Sequence, residues 1–128
     1  VVLWAVTSTG CILGGSGLLD KKANGHGAAR LVADTAVDEL SKELAHGGCV
    51  DSHLQDQLII LMALAKGKSK IRTGPLTLHT ETAMYMCGLM TGATFVVVKE
   101  AESPSHGKDS GSLSQQVVIE CVGMGFQK

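Results

Sequence analysis

The chain has 128 residues, enough for one domain with its own apolar core. Lysine plus arginine (11) almost balances aspartate plus glutamate (12) and aromatics make up 3%, so neither a basic nucleic-acid surface nor an aromatic stacking platform is announced. Any contact with nucleic acid must therefore be local or lie in residues outside this stretch. No apolar run reaches the length of a membrane span, and Val1 to Thr7 lacks the charged start of a signal peptide. Cys11, Cys49, Cys87 and Cys121 are widely spaced with no CxxC pair, which predicts free thiols in a reducing compartment. An opening without methionine, directly in a strand-like run, leads us to expect a piece of something longer.

Val1 to Thr7 is rich in β-branched and aromatic residues and reads as a strand; Cys11-Ile12-Leu13 reads as a second short one. Gly14-Gly15-Ser16 superficially resembles a phosphate loop but lacks its lysine, so we read a strand and a turn. Asp20 to Gly25 is a polar turn. From about Gly27 to Ala45, Leu31, Val32, Ala36, Val37, Leu40 and Leu44 recur at helical spacing, and Gly47-Gly48 stops that helix. A second helix is predicted from Ser52, where Ser52-x-x-Gln55 has capping-box spacing, to about Lys66. Its main apolar face is Leu54, Leu58, Leu61, Met62 and Ala65, with Ile59, Ile60 and Leu64 extending burial nearly all round. Asp56 and Gln57 then stand out as polar residues in need of partners.

Lys70 to Thr73 reads as a short strand continued by Leu76-Thr77-Leu78; a third helix runs from about Glu81 to Met90 and closes at Gly92. Ala93 to Lys99 is a strongly apolar strand. A flexible loop at about 100–114 precedes a last strand, Gln116 to Val122, antiparallel to its predecessor. The order β(β)–α–α–β–α–β–β implies an α/β (α+β) fold, a mixed β-sheet with helices packed on one face.

The most chemically informative segment is Gly74-Pro75-Leu76-Thr77-Leu78-His79-Thr80-Glu81. It places His79 where an extended stretch turns into a helix that Thr80 would cap. Unpaired N–H groups and the positive end of the helix dipole there attract anions such as phosphate. The same field disfavours imidazolium, leaving a ring suited to attack phosphorus. A histidine at such a junction also serves merely to satisfy a hydrogen bond, and the residues alone leave both readings open. His46, Cys49 and His53 have spacing compatible with three metal ligands but no evident fourth, so helix termination accounts better for His46 and Gly47.

Taken in order, Thr7-Ser8-Thr9-Gly10-Cys11-Ile12-Leu13-Gly14-Gly15-Ser16, His46-Gly47-Gly48-Cys49-Val50-Asp51, Leu54-Gln55-Asp56-Gln57-Leu58, Gly74-Pro75-Leu76-Thr77-Leu78-His79-Thr80 and Ile119-Glu120-Cys121-Val122-Gly123-Met124-Gly125 closely resemble the RNA 3'-terminal phosphate cyclase family. The resemblance implies that residues 1–128 are the C-terminal part of such an enzyme, built on its βαβαββ-type repeat, with N-terminal repeats of the same protein as partners. It implies an ATP-dependent ligase-type enzyme that turns an RNA 3'-phosphate end into a 2',3'-cyclic phosphate through a histidine–AMP intermediate. His79 matches the histidine that carries AMP. His53, Leu54, Gln55, Asp56 and Gln57 match the helix start that contacts the nucleotide. ATP, a divalent cation (Mg²⁺ or Mn²⁺), RNA 3'-phosphate ends and an intracellular, nuclear or cytoplasmic, site of action without a membrane are implied likewise. The chain departs from the family's usual tyrosine at His53 and usual glutamates at Ser52 and Val6. Two other readings remain: a non-catalytic cyclase-like factor in ribosomal RNA processing, and an inactive truncated fragment.

Overall fold

The structure, a computed structural model, describes residues 1–19, 26–99 and 116–127; the expected polar turn and the expected loop at about 100–114 lie outside these residues. Strand β1 (Val2–Val6) folds back antiparallel on β2 (Ile12–Ser16), Val6 opposite Ile12 and Val2 opposite Ser16. The turn between them needs Gly10 at φ +84°, where an L side chain is strained. Helix α1 (His26–Ala45) lies across β2. The glycines of β2 make that close approach feasible: a Cβ on Gly15 would sit 2.6 Å from both Ala36 O and Leu40 N. The Gly-rich run is thus a strand under a helix, as its missing lysine suggested, with Leu13 and Ala36 buried at that contact.

The rest of the chain builds the larger unit. Helix α2 (Ser52–Leu64) leads through Ala65 into β3 (Lys66–Thr73); α3 (Leu78–Thr91) follows, then β4 (Thr94–Lys99) and β5 (Val117–Met124). The sheet order is β3-β5-β4, antiparallel throughout, with Lys70 opposite Glu120 and Val97 opposite Ile119. A single parallel bridge, Val50 to Thr73, adds the element before α2, so the βαβαββ repeat is present with its first strand reduced to one residue. The one mixed sheet expected is therefore two small antiparallel sheets, and its parallel component survives as that bridge.

Alternation along the strands explains why the helices cover one face. Ile71, Phe95, Ile119 and Cys121 point into a cluster with Ile59, Met62 and Ala63 of α2 and Ala83, Met84 and Cys87 of α3. Full burial of one such side chain is worth about 1.5–3 kcal/mol. Their neighbours Lys70, Val96 and Glu120 stand exposed on the opposite face.

Two expected boundaries move. Helix α2 stops at Leu64 rather than near Lys66, because Lys66 to Lys70 pair with Met124 to Glu120. It also buries Gln55, Ile59, Met62 and Ala63, whereas Leu54 and Leu61, expected on the core face, are 38% and 60% exposed. A helix apolar on almost every side offers no phase to the sequence reader; the partner surface decides which stripe is used. Among the described residues no helix is long and apolar enough to cross a membrane.

Candidate active site

The site grows from the start of α3. Thr77, not Thr80, is its N-cap: Thr77 is extended (φ −86°, ψ 155°) and its hydroxyl oxygen accepts from Thr80 N at 3.2 Å. The helix thus begins three residues earlier than expected, and His79 becomes the second residue of its first turn. Its ring is exposed. Among the described residues nothing accepts from the backbone N–H groups of Leu78 and His79, which leaves two donors at the positive end of the helix.

Gln55 holds this turn in place. It is 1% exposed, and its carboxamide uses every hydrogen-bonding position it has. The Nε2 donates to Thr73 Oγ1 (2.7 Å) and Pro75 O (3.3 Å), while Oε1 accepts from Thr77 N (3.0 Å) and Thr80 Oγ1 (2.6 Å). The end of β3, the Gly74-Pro75 turn and both residues flanking Leu78-His79 are therefore tied to one side chain of α2. Among the described residues no buried side-chain polar atom lacks a partner.

The other α2 residues assigned to a nucleotide are placed differently. Asp56 is half-buried and Gln57 exposed, so neither is the buried polar group expected from the sequence. Gln57 donates to His53 O at 3.0 Å, within its own helix. Leu54 is partly exposed, and His53 reaches back to α1, its Nε2 2.9 Å from Glu39 Oε1. Among these five residues only Gln55 hydrogen-bonds to the α3 start.

The hydrogen bond that His53 makes to Glu39 raises the His53 pKa above 6.5 against the opposing effect of burial, and the same contact lowers that of Glu39 below 4.5. Protonated His53 therefore adds stability that is complete below pH 6.5 and fades as pH rises through the raised value. In a ¹H–¹⁵N titration the His53 ring should protonate above its ordinary midpoint, and Glu39→Gln should return it there; an unchanged midpoint would count against the pair.

A second buried cluster positions the Gly-Pro turn from the other side. His46 Nδ1 accepts from Gly48 N (3.0 Å), so its Nε2 carries the proton and donates to Glu43 Oε2 (2.7 Å). Burial pushes the Glu43 pKa up, but hydrogen bonds from the Ser52 hydroxyl, His46 and Ser52 N outweigh it, and the net shift is downward. A Cβ on Gly74 would lie 2.5 Å from His46 Cδ2, so the ring packs flush against the residue that opens the turn. His46, Cys49 and His53 are not gathered: Cys49 Sγ donates to Arg72 O, and no group of three potential metal ligands forms among the described residues.

The two helix starts now differ in charge. That of α2 is filled by carboxylates, with Asp51 accepting from Leu54 N (2.7 Å) and Glu43 from Ser52 N (3.2 Å). That of α3 carries the uncharged cap Thr77, with Glu81 its only first-turn acid. The α3 start is therefore the less acidic of the two and the better suited to an anion. Sequence reading missed Gln55 as a hub and the Glu43–His46 pair; the i, i+3 spacing of an acid and a histidine at a helix end was the available signal for the pair.

Residues 4–97 match the family model described as RNA 3'-terminal phosphate cyclase, a span that holds α2, β3 and His79. The chain is 43% identical over 126 residues to a Dictyostelium discoideum protein named "Probable RNA 3'-terminal phosphate cyclase", covering 95% of this chain and 26% of that protein. It is 35% identical over 125 residues to the RNA 3'-terminal phosphate cyclase of Drosophila melanogaster, covering 98% of this chain and 30% of that one. With the Methanosarcina mazei protein of the same name identity is 37% over 102 residues, 80% of this chain and 26% of the relative. The chain thus spans roughly a quarter to a third of the length of these curated relatives.

Proposed function

This chain belongs to the RNA 3'-terminal phosphate cyclase family, and on that premise we propose that a protein carrying it converts RNA 3'-phosphate ends to 2',3'-cyclic phosphates, using ATP. The observation that carries the reading is His79: an exposed imidazole in the first turn of α3, beside two N–H groups with no acceptor among the described residues.

In this account a ring nitrogen of His79 attacks the α-phosphorus of ATP. A P–N bond forms, the bond to the β-phosphate oxygen breaks, pyrophosphate leaves and the ring gives up its proton. An oxygen of the RNA 3'-phosphate then displaces the imidazole, joining AMP to the RNA end. The neighbouring 2'-hydroxyl attacks that 3'-phosphorus, closes the ring and expels AMP, its proton passing to solvent. The N–H groups of Leu78 and His79 orient the anion, and Gln55 keeps the turn in place through Thr77 and Thr80.

His53, Leu54, Gln55, Asp56 and Gln57 bound the nucleotide side of the site in this account. Asp56 contributes a carboxylate with no hydrogen-bond partner among the described residues, and His53 an imidazole whose pKa the Glu39 contact raises. A divalent cation, Mg²⁺ or Mn²⁺, accompanies the triphosphate and screens its charge. We assign it no ligand set, since the described residues gather none. In this account the protein acts on RNA ends in the nucleus or the cytoplasm.

The test uses the full-length protein carrying this chain, an RNA with a labelled 3'-phosphate, and ATP. The reading predicts that the label becomes resistant to phosphatase while AMP accumulates in equal amount. An end that stays phosphatase-sensitive, with the RNA bound, would instead support the non-catalytic rRNA-processing role.

A further inference from the structure

Near-zero net charge hides a segregation of charge. Of the 11 lysines and arginines, four occupy alternate positions of one strand, Lys66, Lys68, Lys70 and Arg72 on β3. Their register with Met124, Val122, Glu120 and Val118 puts them on the sheet face away from the helices, and all four are exposed. Glu120 pairs with Lys70 at 3.0 Å. Lys66 and Lys68 have no ion pair among the described residues. At about 3.4 Å per residue the four cations stand about 7 Å apart, in a file about 20 Å long.

We propose that this file is a track for the phosphate backbone of single-stranded RNA, leading toward the turn that carries His79; the proposal rests on the reading that the substrate is an RNA end. The direction follows from the chain: β3 ends at Thr73, whose hydroxyl is bound by Gln55, the side chain that also holds the His79 turn. Lysine ammonium groups are point charges suited to phosphate oxygens, and with no aromatic residue in the file the contact is independent of sequence. A lipid surface calls for a broad patch, whereas these cations lie in single file.

Lysines on an edge strand also discourage sheet-to-sheet association. If that were their reason here, they would be needed on the other edge, where β4 runs Phe95-Val96-Val97-Val98 with Lys99 its one charged residue. The charge instead sits on the less apolar edge.

The experiment is a fluorescence-anisotropy titration of a labelled 12-nucleotide RNA into the 128-residue chain, at several salt concentrations. Affinity is read without ATP, so it does not depend on whether His79 is ever adenylated. Four contacts predict a slope of log affinity against log salt near about −3, at about −0.7 per single-strand contact. Lys66→Gln/Lys68→Gln should halve that slope and weaken binding at least about fivefold at low salt. Lys66→Arg/Lys68→Arg should restore both, and Lys42→Gln on the exposed side of α1 should change neither. An unchanged slope in the double glutamine variant overturns the proposal. So does an equal loss in Lys42→Gln, or binding of phosphatidylserine vesicles through Lys66 and Lys68 without binding of RNA.

Discussion

Replacing Gln55 with alanine should destabilise the chain by about 3–5 kcal/mol, an exceptional value for one substitution. The side chain is 1% exposed and serves four partners. Its removal strands the Thr73 hydroxyl, leaves the Thr80 hydroxyl only its contact with Thr77 Oγ1 (both threonines are 0% exposed), and frees the Thr77 N–H. Each buried group left unpaired costs about 1–3 kcal/mol. The void adds to this, because the Ile59–Met62 side of α2 cannot collapse into it without moving the sheet. Urea unfolding of the 128-residue chain should show a lower midpoint with an unchanged slope, and amide exchange should rise first at Thr77 and Thr80. Gln55→Glu keeps the acceptor for Thr77 and Thr80 but loses the donor to Thr73 and Pro75, so it should also destabilise. A loss below about 1 kcal/mol for Gln55→Ala would mean that the turn does not depend on this side chain.

His79→Asn should have the opposite profile. The ring is exposed and α3 is capped by Thr77, so stability should stay within about 0.5 kcal/mol of the parent. Transfer of AMP from ATP to the full-length protein should nevertheless disappear, since a carboxamide cannot act as the phosphorus nucleophile. The two variants separate positioning from chemistry. Gln55→Ala loses activity together with order, whereas His79→Asn loses it with the melting curve intact. A His79→Asn protein that still takes up AMP would remove His79 from the mechanism.

How much of this the sequence revealed depended on whether a local signal had a competitor. The element order and the termination of α1 and α3 at glycine were legible, because Gly47 and Gly92 sit at positive φ where little else fits. The α3 start was misplaced because two threonines three residues apart both suit a cap; Gln55 selects Thr77 by binding its N–H. In α2 the nearly continuous apolar run concealed the buried stripe, which drew suspicion to Asp56 and Gln57 when Gln55 was the buried amide. Strand β3 was half missed because Lys66-Gly67-Lys68-Ser69 has poor strand propensity, and only its ladder with β5 makes it extended. His79 drew attention because its setting is local, a histidine between a Gly-Pro turn and a helical run, and the structure places it in the first turn of α3. The ordinary function of His46, packed against Gly74 and bonded to Glu43, depends on contacts across the fold and could not be read from neighbours in the chain.

The most direct test of the central claim is to map the adduct itself. Full-length protein is incubated with ATP labelled at the α-phosphate, digested, and the labelled peptide sequenced by mass spectrometry. The account predicts AMP on the imidazole of His79, through a P–N bond that acid cleaves and alkali leaves intact. AMP on a lysine or a hydroxyl, or on any histidine other than His79, would contradict it.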